Sequence, residues 1–495
     1  MARGASFGGP AIYEDRFRPP ALGGLIAHLQ MRSSYSLALG RETGALSSAC
    51  QNLLDEPQRH ATSIHRMAPQ TPTTLTFRAL DDADPAVAEL VRREYRRQSS
   101  TLELIPSENL ASPAILEALG TLLTNKYAEG YPGRRYYGGC EVMDEIETLA
   151  QDRARQLFGA DYVNVQPHSG SQANAAVYSA ICQPGDRVMG MDLGAGGHLT
   201  HGSPANFSGK LYEIHPYSVD RETELIDYDA VQRIANEVRP KMLLVGYSAY
   251  PRRIDFARMR RIADEVGAVM VTDMAHFAGL VAGGVYPSPI ADSHVISSTT
   301  QKTLRGAWGG LIMAADAERW QKPLDSAVFP GTQGGPLMHA IAAKAVCFGE
   351  ALKPDFKDYA RRVVDNARAM AARLIERGLR LTTGGTDNHL MLVDLRPLGL
   401  KGRQVQSKAD RVGITLNSNA IPYDEASRFN PSGIRLGSPS VTTRGMGPAE
   451  MTEIADCVAD LLEALAEERG EAALDAIRER TLDLSNRYPL PYGFV

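Results

Sequence analysis

"DFARMRRIADEVGAVMVTDMAH", residues 255–276, joins an amphipathic stretch to a short apolar run that carries an aspartate at its end. The first part reads as a helix that stops at Gly267, and the second, from Ala268, has the length and composition of a buried strand. The same pairing recurs on both sides. "YVNVQPH" (162–168), "RVMGMDL" (187–193), "KMLLVGYS" (241–248), "HVISSTTQ" (294–301) and "GGLIMAA" (309–315) read as strands, whereas "SQANAAVYSAICQ" (171–183) and "DYDAVQRIANEV" (227–238) read as helices. Strands alternating with helices predict an α/β fold with a mostly parallel central sheet and helices on both faces. Such sheets bind ligands beyond the carboxyl ends of their strands, so residues just after the apolar runs are the first candidates for a site.

At 495 residues the chain exceeds what one core usually holds, and more than one domain is expected. After a helical stretch from Pro354 to Gly378 the pattern changes to "HLMLVDLRPL", a helix near Gly402 to Val412, "ITLNSN", "SGIRLGSP" and a final helix from Pro448 to Glu468. This predicts a smaller C-terminal α+β domain. The expected division is a leader over 1–66, an N-terminal helical segment and active-site arm over 67–140, a large α/β domain over 141–353, and the α+β domain over 354–495. The first 66 residues have no lysine and carry seven arginines against five acids. A disordered or over-annotated leader ahead of Met67 is the preferred reading; an organelle transit peptide, weakened by Glu14, Asp15 and Glu42, and a folded accessory segment are the alternatives.

The net charge of −5 gives no electrostatic footprint for nucleic acid or an anionic membrane. No apolar run approaches the length of a bilayer span, so a water-soluble, cytoplasmic chain is expected. Five scattered cysteines (Cys50, Cys140, Cys182, Cys347, Cys457) show no metal-ligand spacing and suit a reducing compartment; no metal is expected.

Only ten of the 53 basic residues are lysines, and one of them, Lys302, follows the strand "HVISSTTQ". Flanked by Ser297, Ser298, Thr299, Thr300 and Thr303, it is well placed to form a Schiff base with an aldehyde cofactor, since desolvation lowers an amine's pKa. Most such lysines are plain surface charges, so support is needed. It comes from Asp273, 29 residues upstream, which ends an otherwise apolar strand and needs a cationic partner. The protonated ring nitrogen of pyridoxal 5'-phosphate supplies one; a helix cap is the plain alternative. "QPHSGSQANAAV" puts Ser169, Gly170 and Ser171 between strand and helix, where free N–H groups suit a phosphate. "GAGGHLTHGS" puts His198 in a glycine-rich loop after another strand, able to stack on a ring, with His201 suited to a structural role.

Together "LTNKYAEGYPGRRYYGGCE" (123–141), "VNVQPHSGSQAN" (163–174), "GGHLTHGSPANFSGKLY" (196–212), "VTDMAHFAGLVAGGVYPSP" (271–289), "TTQKTLRG" (299–306), "FPGTQGGP" (329–336) and "SGIRLGSP" (432–439) resemble the serine hydroxymethyltransferase family of fold-type I pyridoxal phosphate enzymes, from about residue 84 to the end. The resemblance implies a one-carbon transferase that converts L-serine and tetrahydrofolate to glycine and 5,10-methylenetetrahydrofolate. It implies Lys302 as the Schiff-base lysine, Asp273 at the ring nitrogen, His198 stacked on the ring, and His276 and Ser248 near the phenolic oxygen. Ser169, Gly170 and Ser171 would hold the phosphate, with Gly334 and Gly335 reaching the phosphate of a neighbouring subunit in a homodimer or tetramer. Arg435 would pair with the substrate carboxylate beside Ser107.

Glu129 would be the acid/base carboxyl, lined by Tyr127 and Tyr137, in a loop rich in tyrosine, arginine and glycine. Leu193, Gly197, His198, Leu199, Asn419, Ser427, Arg428 and Phe429 would meet tetrahydrofolate. The chain departs from the family at three places: Gln301 stands where His is usual, Trp308 replaces an arginine, and Ser418 replaces a basic residue. These departures motivate a second reading, a hydroxymethyltransferase using 2-methylserine and D-alanine or a folate-independent threonine-type aldolase or transaldolase. A third, a binding or regulatory protein without turnover, is opposed by the joint presence of Lys302, Asp273, Glu129 and Arg435.

Overall fold

The computed structural model describes residues 73–76 and 78–494; the expected leader over 1–66 lies outside the described residues. Seven strands form the central sheet: β1 (Tyr162–Asn164), β2 (Arg187–Met191), β3 (Glu213–Tyr217), β4 (Met242–Gly246), β5 (Val269–Asp273), β6 (Val295–Thr299) and β7 (Gly310–Ala314), in the order β1-β7-β6-β5-β4-β2-β3. All neighbours are parallel except β7, which runs antiparallel to both β1 and β6. Every residue of β4, β6 and β7 is buried, as expected for strands covered on both faces.

Several helices start where the sequence supplies a cap. The helix Phe256–Val266 starts at Asp255, whose carboxylate accepts from the Arg258 N–H, and stops at Gly267 with φ of 71°. Its buried face, Phe256, Met259, Ile262 and Ala263, packs on the sheet. The helix Gly170–Ile181 starts at Ser169, whose hydroxyl accepts from the Gln172 N–H. Gly246 ends β4 with φ of 132°, and a Cβ there would stand 2.1 Å from the Asp273 carbonyl oxygen, so only glycine lets β4 lie beside the end of β5.

Strand β3 was not among the expected strands. "EIHPY" contains a proline and does not alternate cleanly, which an edge strand tolerates, and β3 lies at one edge of the sheet. A second correction concerns the C-terminus: the helix Pro448–Ala466 is not the last, because Glu471–Arg487 forms another. Its buried stripe, Leu474, Ile477, Thr481, Leu484 and Ser485, is narrow and part polar, so its periodicity is weak in sequence.

The second sheet is antiparallel, in the order β8 (Arg380–Leu381), β9 (Leu390–Asp394), β11 (Gly433–Gly437), β10 (Asn417–Asn419). It packs with the helices Pro354–Glu376 and Pro448–Ala466 around a core that also takes in Leu102 and Leu104. The strand Leu102–Glu103 pairs with Ile414–Thr415, which ties the segment before "LIPSEN" to the C-terminal layer. Among the described residues no helix is long and apolar enough to cross a membrane, and Cys140, Cys182, Cys347 and Cys457 are buried free thiols.

Candidate active site

A cavity of about 510 Å³ opens at the carboxyl ends of the central strands and is closed on one side by the second sheet. Asp273 ends β5, Lys302 follows β6 by three residues, Ser248 follows β4, and His198 follows β2. Arg435 enters from β11, where it is paired with Asn417 of β10. Of the expected residues, Ser107, Ser169, Gly170, Ser171, Leu193, Gly197, His198, Leu199, Ser248, Asp273, His276, Gln301, Lys302, Trp308, Asn419, Arg428 and Arg435 all line this one cavity.

Lys302 is half-buried in the cavity wall, and its Nζ has no hydrogen-bonding partner among the described residues. Its carbonyl oxygen accepts from Asn109 Nδ2 at 3.0 Å, which fixes the backbone at the base of the side chain. Burial pushes the amine down to about 8, with Asp273 pulling up and Arg435 pushing down. A lysine so shifted carries an appreciable share of neutral, nucleophilic amine near neutral pH.

Asp273 is held in place by its neighbours. Its Oδ2 accepts from Asn174 Nδ2 at 2.9 Å and lies 3.1 Å from His201 Nε2, while Oδ1 accepts from the Ala275 N–H at 3.0 Å. Burial acts to raise this carboxyl, but the hydrogen bonds from His201 and Asn174 and the charge interaction with both histidines hold it well below the usual carboxylate range. It is thus a fixed anion facing the cavity. Ligating atoms of His198, His201 and Asp273 lie within 4.8 Å of one another; the contacts of His201 and Asp273 with each other, and of His198 Nδ1 with Thr200 Oγ1 at 2.8 Å, account for this closeness without an ion.

The two cavity histidines are neutral. Burial, with His201 beside it, pushes His198 down to about 4, and burial with Lys302 and Arg435 nearby holds His276 well below its ordinary value. Arg435 Nη1 donates to the Ser248 carbonyl at 2.6 Å and Nε to Asn417 Oδ1 at 3.0 Å. Desolvation lowers the guanidinium only to about 10, so it stays charged. Ser248 Oγ is buried with no partner, and the first-turn N–H groups of Gly170 and Ser171 have no acceptor among the described residues.

The remaining expected residues lie elsewhere. Tyr127, Glu129, Tyr137, Gly334 and Gly335 do not line the cavity but meet one another. The Tyr127 and Tyr137 rings pack edge to face at 5.4 Å, and a Cβ at Gly334 would stand 3.3 Å from Glu129 Oε1, one at Gly335 3.1 Å from the Tyr127 ring. Arg135 braces this loop: Nη1 donates to the Ala128 and Gly130 carbonyls on either side of Glu129, while Nε and Nη2 pair with Asp144 and the buried Glu147 at 2.7 Å. Ser427 and Phe429 flank Arg428 outside the cavity, with Phe429 79% exposed.

All three departures line the cavity. Trp308 is 71% exposed at its mouth, Gln301 Oε1 accepts from the Gly309 N–H at 3.3 Å, and the Ser418 N–H donates to Gln406 Oε1 at 2.9 Å. Asn174 was not anticipated: it joins Asp273 to Thr200 and accepts from Ser297 Oγ at 2.5 Å. An amide inside the alanine-rich helix "SQANAAV" was its only trace in the sequence.

Residues 80–458 match the family model described as serine hydroxymethyltransferase. The chain is 56% identical over 413 residues to the serine hydroxymethyltransferase of Rhodospirillum centenum, covering 83% of this chain and 96% of that protein. It is 57% identical over 411 residues to that of Nostoc punctiforme (83% and 95%) and 56% identical over 427 residues to that of Zymomonas mobilis (86% and 99%). A matching family model over most of the chain, and relatives of this identity along nearly their whole length, establish that the chain belongs to the serine hydroxymethyltransferase family.

Proposed function

We propose that this protein transfers the hydroxymethyl carbon of L-serine to tetrahydrofolate, giving glycine, 5,10-methylenetetrahydrofolate and water, and does so reversibly with pyridoxal 5'-phosphate as cofactor. The observation that carries the reading is an unpartnered Lys302 amine in the same cavity as a fixed Asp273 anion and the Arg435 guanidinium. The donor set suits the cofactor: an amine without a partner, a buried hydroxyl at Ser248 without one, and free N–H groups at Gly170 and Ser171.

Bound there, pyridoxal phosphate supplies an aldehyde that condenses with amines and a cationic ring that takes up the electron pair released at the substrate's α-carbon. Lys302 is the amine that holds it. Asp273 would keep a proton on the ring nitrogen, His198 would face the ring, and His276 and Ser248 would hydrogen-bond near the phenolic oxygen. Ser169, Gly170 and Ser171 hold the phosphate. Arg435, with Ser107 beside it, orients the substrate carboxylate by its charge and by the N–H donors that Ser248 and Asn417 leave free. Leu193, Gly197, Leu199, Asn419 and Arg428 are the cavity-lining part of the tetrahydrofolate set, which Ser427 and Phe429 extend at the mouth.

Glu129 moves the proton at the hydroxymethyl oxygen, with Tyr127 and Tyr137 beside it. These three residues cluster with Gly334 and Gly335 away from their own chain's Lys302, which supports a homodimer in which each copy completes the other's site. Buried free thiols fit a reducing compartment, and the cytoplasm is the proposed location.

The test is turnover by the purified holoenzyme of L-serine, 2-methylserine and L-threonine, each with and without tetrahydrofolate. Expected is folate-dependent release of glycine from L-serine, with kcat/KM at least about ten-fold above that for 2-methylserine, as one methyl group in a closed site decides. Turnover of 2-methylserine alone would instead mean that Gln301, Trp308 and Ser418 have redirected the site.

A further inference from the structure

Lys344 lies in the helix Met338–Ala351, within the apolar run "HAIAAKAVCF", and only 1% of it is exposed. Its Nζ donates to three carbonyl oxygens: Val165 at 2.7 Å, Pro167 at 3.0 Å and Gly310 at 2.9 Å. No carboxylate lies within ion-pair distance among the described residues. Three acceptors match the three N–H donors of an ammonium, so the charged form is the one this geometry satisfies. Burial opposes the charge and pushes the amine down to about 7, with Glu147 favouring the charge from farther off.

The three carbonyls belong to two segments. Val165 and Pro167 lead from β1 to the Ser169 cap, and Gly310 opens β7 a few residues after Lys302. The Gly310 N–H in turn donates to the Pro167 carbonyl at 2.9 Å. A Cβ at Gly309 would stand 2.2 Å from Lys344 Cε, so the turn closes directly over the lysine stem. Lys344 thereby draws the carbonyls of the loop inward, while the N–H groups of Gly170 and Ser171 remain without protein acceptors at the cavity. It also places a positive charge, shielded from water, behind a turn suited to an anion.

We propose that Lys344 is a positioning residue for the cofactor phosphate: it sets the shape of the Val165–Ser171 turn and supplies the buried charge that favours a phosphate dianion there. The inference rests on the reading that pyridoxal phosphate occupies this cavity with its phosphate at Ser169–Ser171. A role confined to packing would affect the whole site; a role toward phosphate affects only ligands that carry one.

The experiment compares binding of pyridoxal 5'-phosphate and of pyridoxal, which lacks the phosphate, to cofactor-free parent, Lys344→Met and Lys344→Gln by absorbance titration. Lys344→Gln keeps amide donors without the charge and serves where Lys344→Met fails to fold. Expected is a rise of about 10- to 100-fold in the dissociation constant for pyridoxal phosphate in both variants, with that for pyridoxal within about three-fold of the parent. Equal losses for both ligands, or no loss for either, overturn the proposal. A parent that binds pyridoxal as tightly as its phosphate, or binds neither, overturns the cofactor reading itself and the proposal with it.

Discussion

Replacing Lys302 with alanine is expected to lower kcat for L-serine by at least about 10³-fold, because the group removed is the amine proposed to hold the cofactor. The fold should survive. Lys302 Nζ forms no hydrogen bond that alanine would break, and its burial depresses the amine from 10.5 to about 8. The unfolded chain therefore holds that proton more tightly than the folded one. This lysine counts against stability below about pH 8, and the deficit shrinks as pH rises from there toward 10.5. Removing it should leave the Tm of the cofactor-free protein at or above that of the parent near neutral pH, unless the vacated space costs more. Lys302→Arg is the companion: it keeps a cation but not a condensing amine, and should be as inactive as Lys302→Ala. Steady-state kinetics with thermal unfolding separates lost chemistry from lost structure. Either variant retaining a tenth of parental kcat would show that another group does this work.

Asp273→Asn is expected to lower kcat by roughly 10²- to 10³-fold, since a neutral amide in place of a fixed anion removes the proposed partner of the ring-nitrogen proton. Both Asp273 oxygens accept hydrogen bonds, from Asn174 and His201 on one and from the Ala275 N–H on the other. An amide has one acceptor and one donor end, so one of these contacts becomes donor against donor and some stability is lost as well. A second readout isolates the charge. Asp273 raises the Lys302 amine against its desolvation, so in cofactor-free Asp273→Asn that amine should titrate at lower pH than in the parent. The pH dependence of its reaction with a simple aldehyde measures this. An unmoved titration together with undiminished kcat would contradict the role given to Asp273.

Residues following apolar runs were legible in the sequence because the α/β pattern itself says where sites form. Lys302, Asp273, Ser169 and His198 were found this way, and the structure gathers them in one cavity. Residues acting through long-range interior contacts were not. Lys344 looks like any helical lysine until its three carbonyl partners, far away in sequence, are seen, and Asn174 looks like a stray amide until it meets Asp273. The tetrahydrofolate set has no signature in residue type or spacing and came only from family resemblance. The meeting of Glu129 with Gly334 is likewise invisible in one dimension. Edge strand β3 and the helix Glu471–Arg487 were missed for a simpler reason: each buries too thin a stripe to impose a clear period.

The central question is which amine engages the cofactor: Lys302 lines the cavity with an unpartnered amine, whereas the Lys344 amine is sealed beneath it by three carbonyls. Reducing the holoenzyme with borohydride, digesting it and locating the pyridoxyl phosphate group by mass spectrometry decides between them. One modified site per chain is expected, on the peptide containing Lys302, and none in the Lys302→Ala variant. A label on Lys344, on any other lysine, or on none would contradict that assignment.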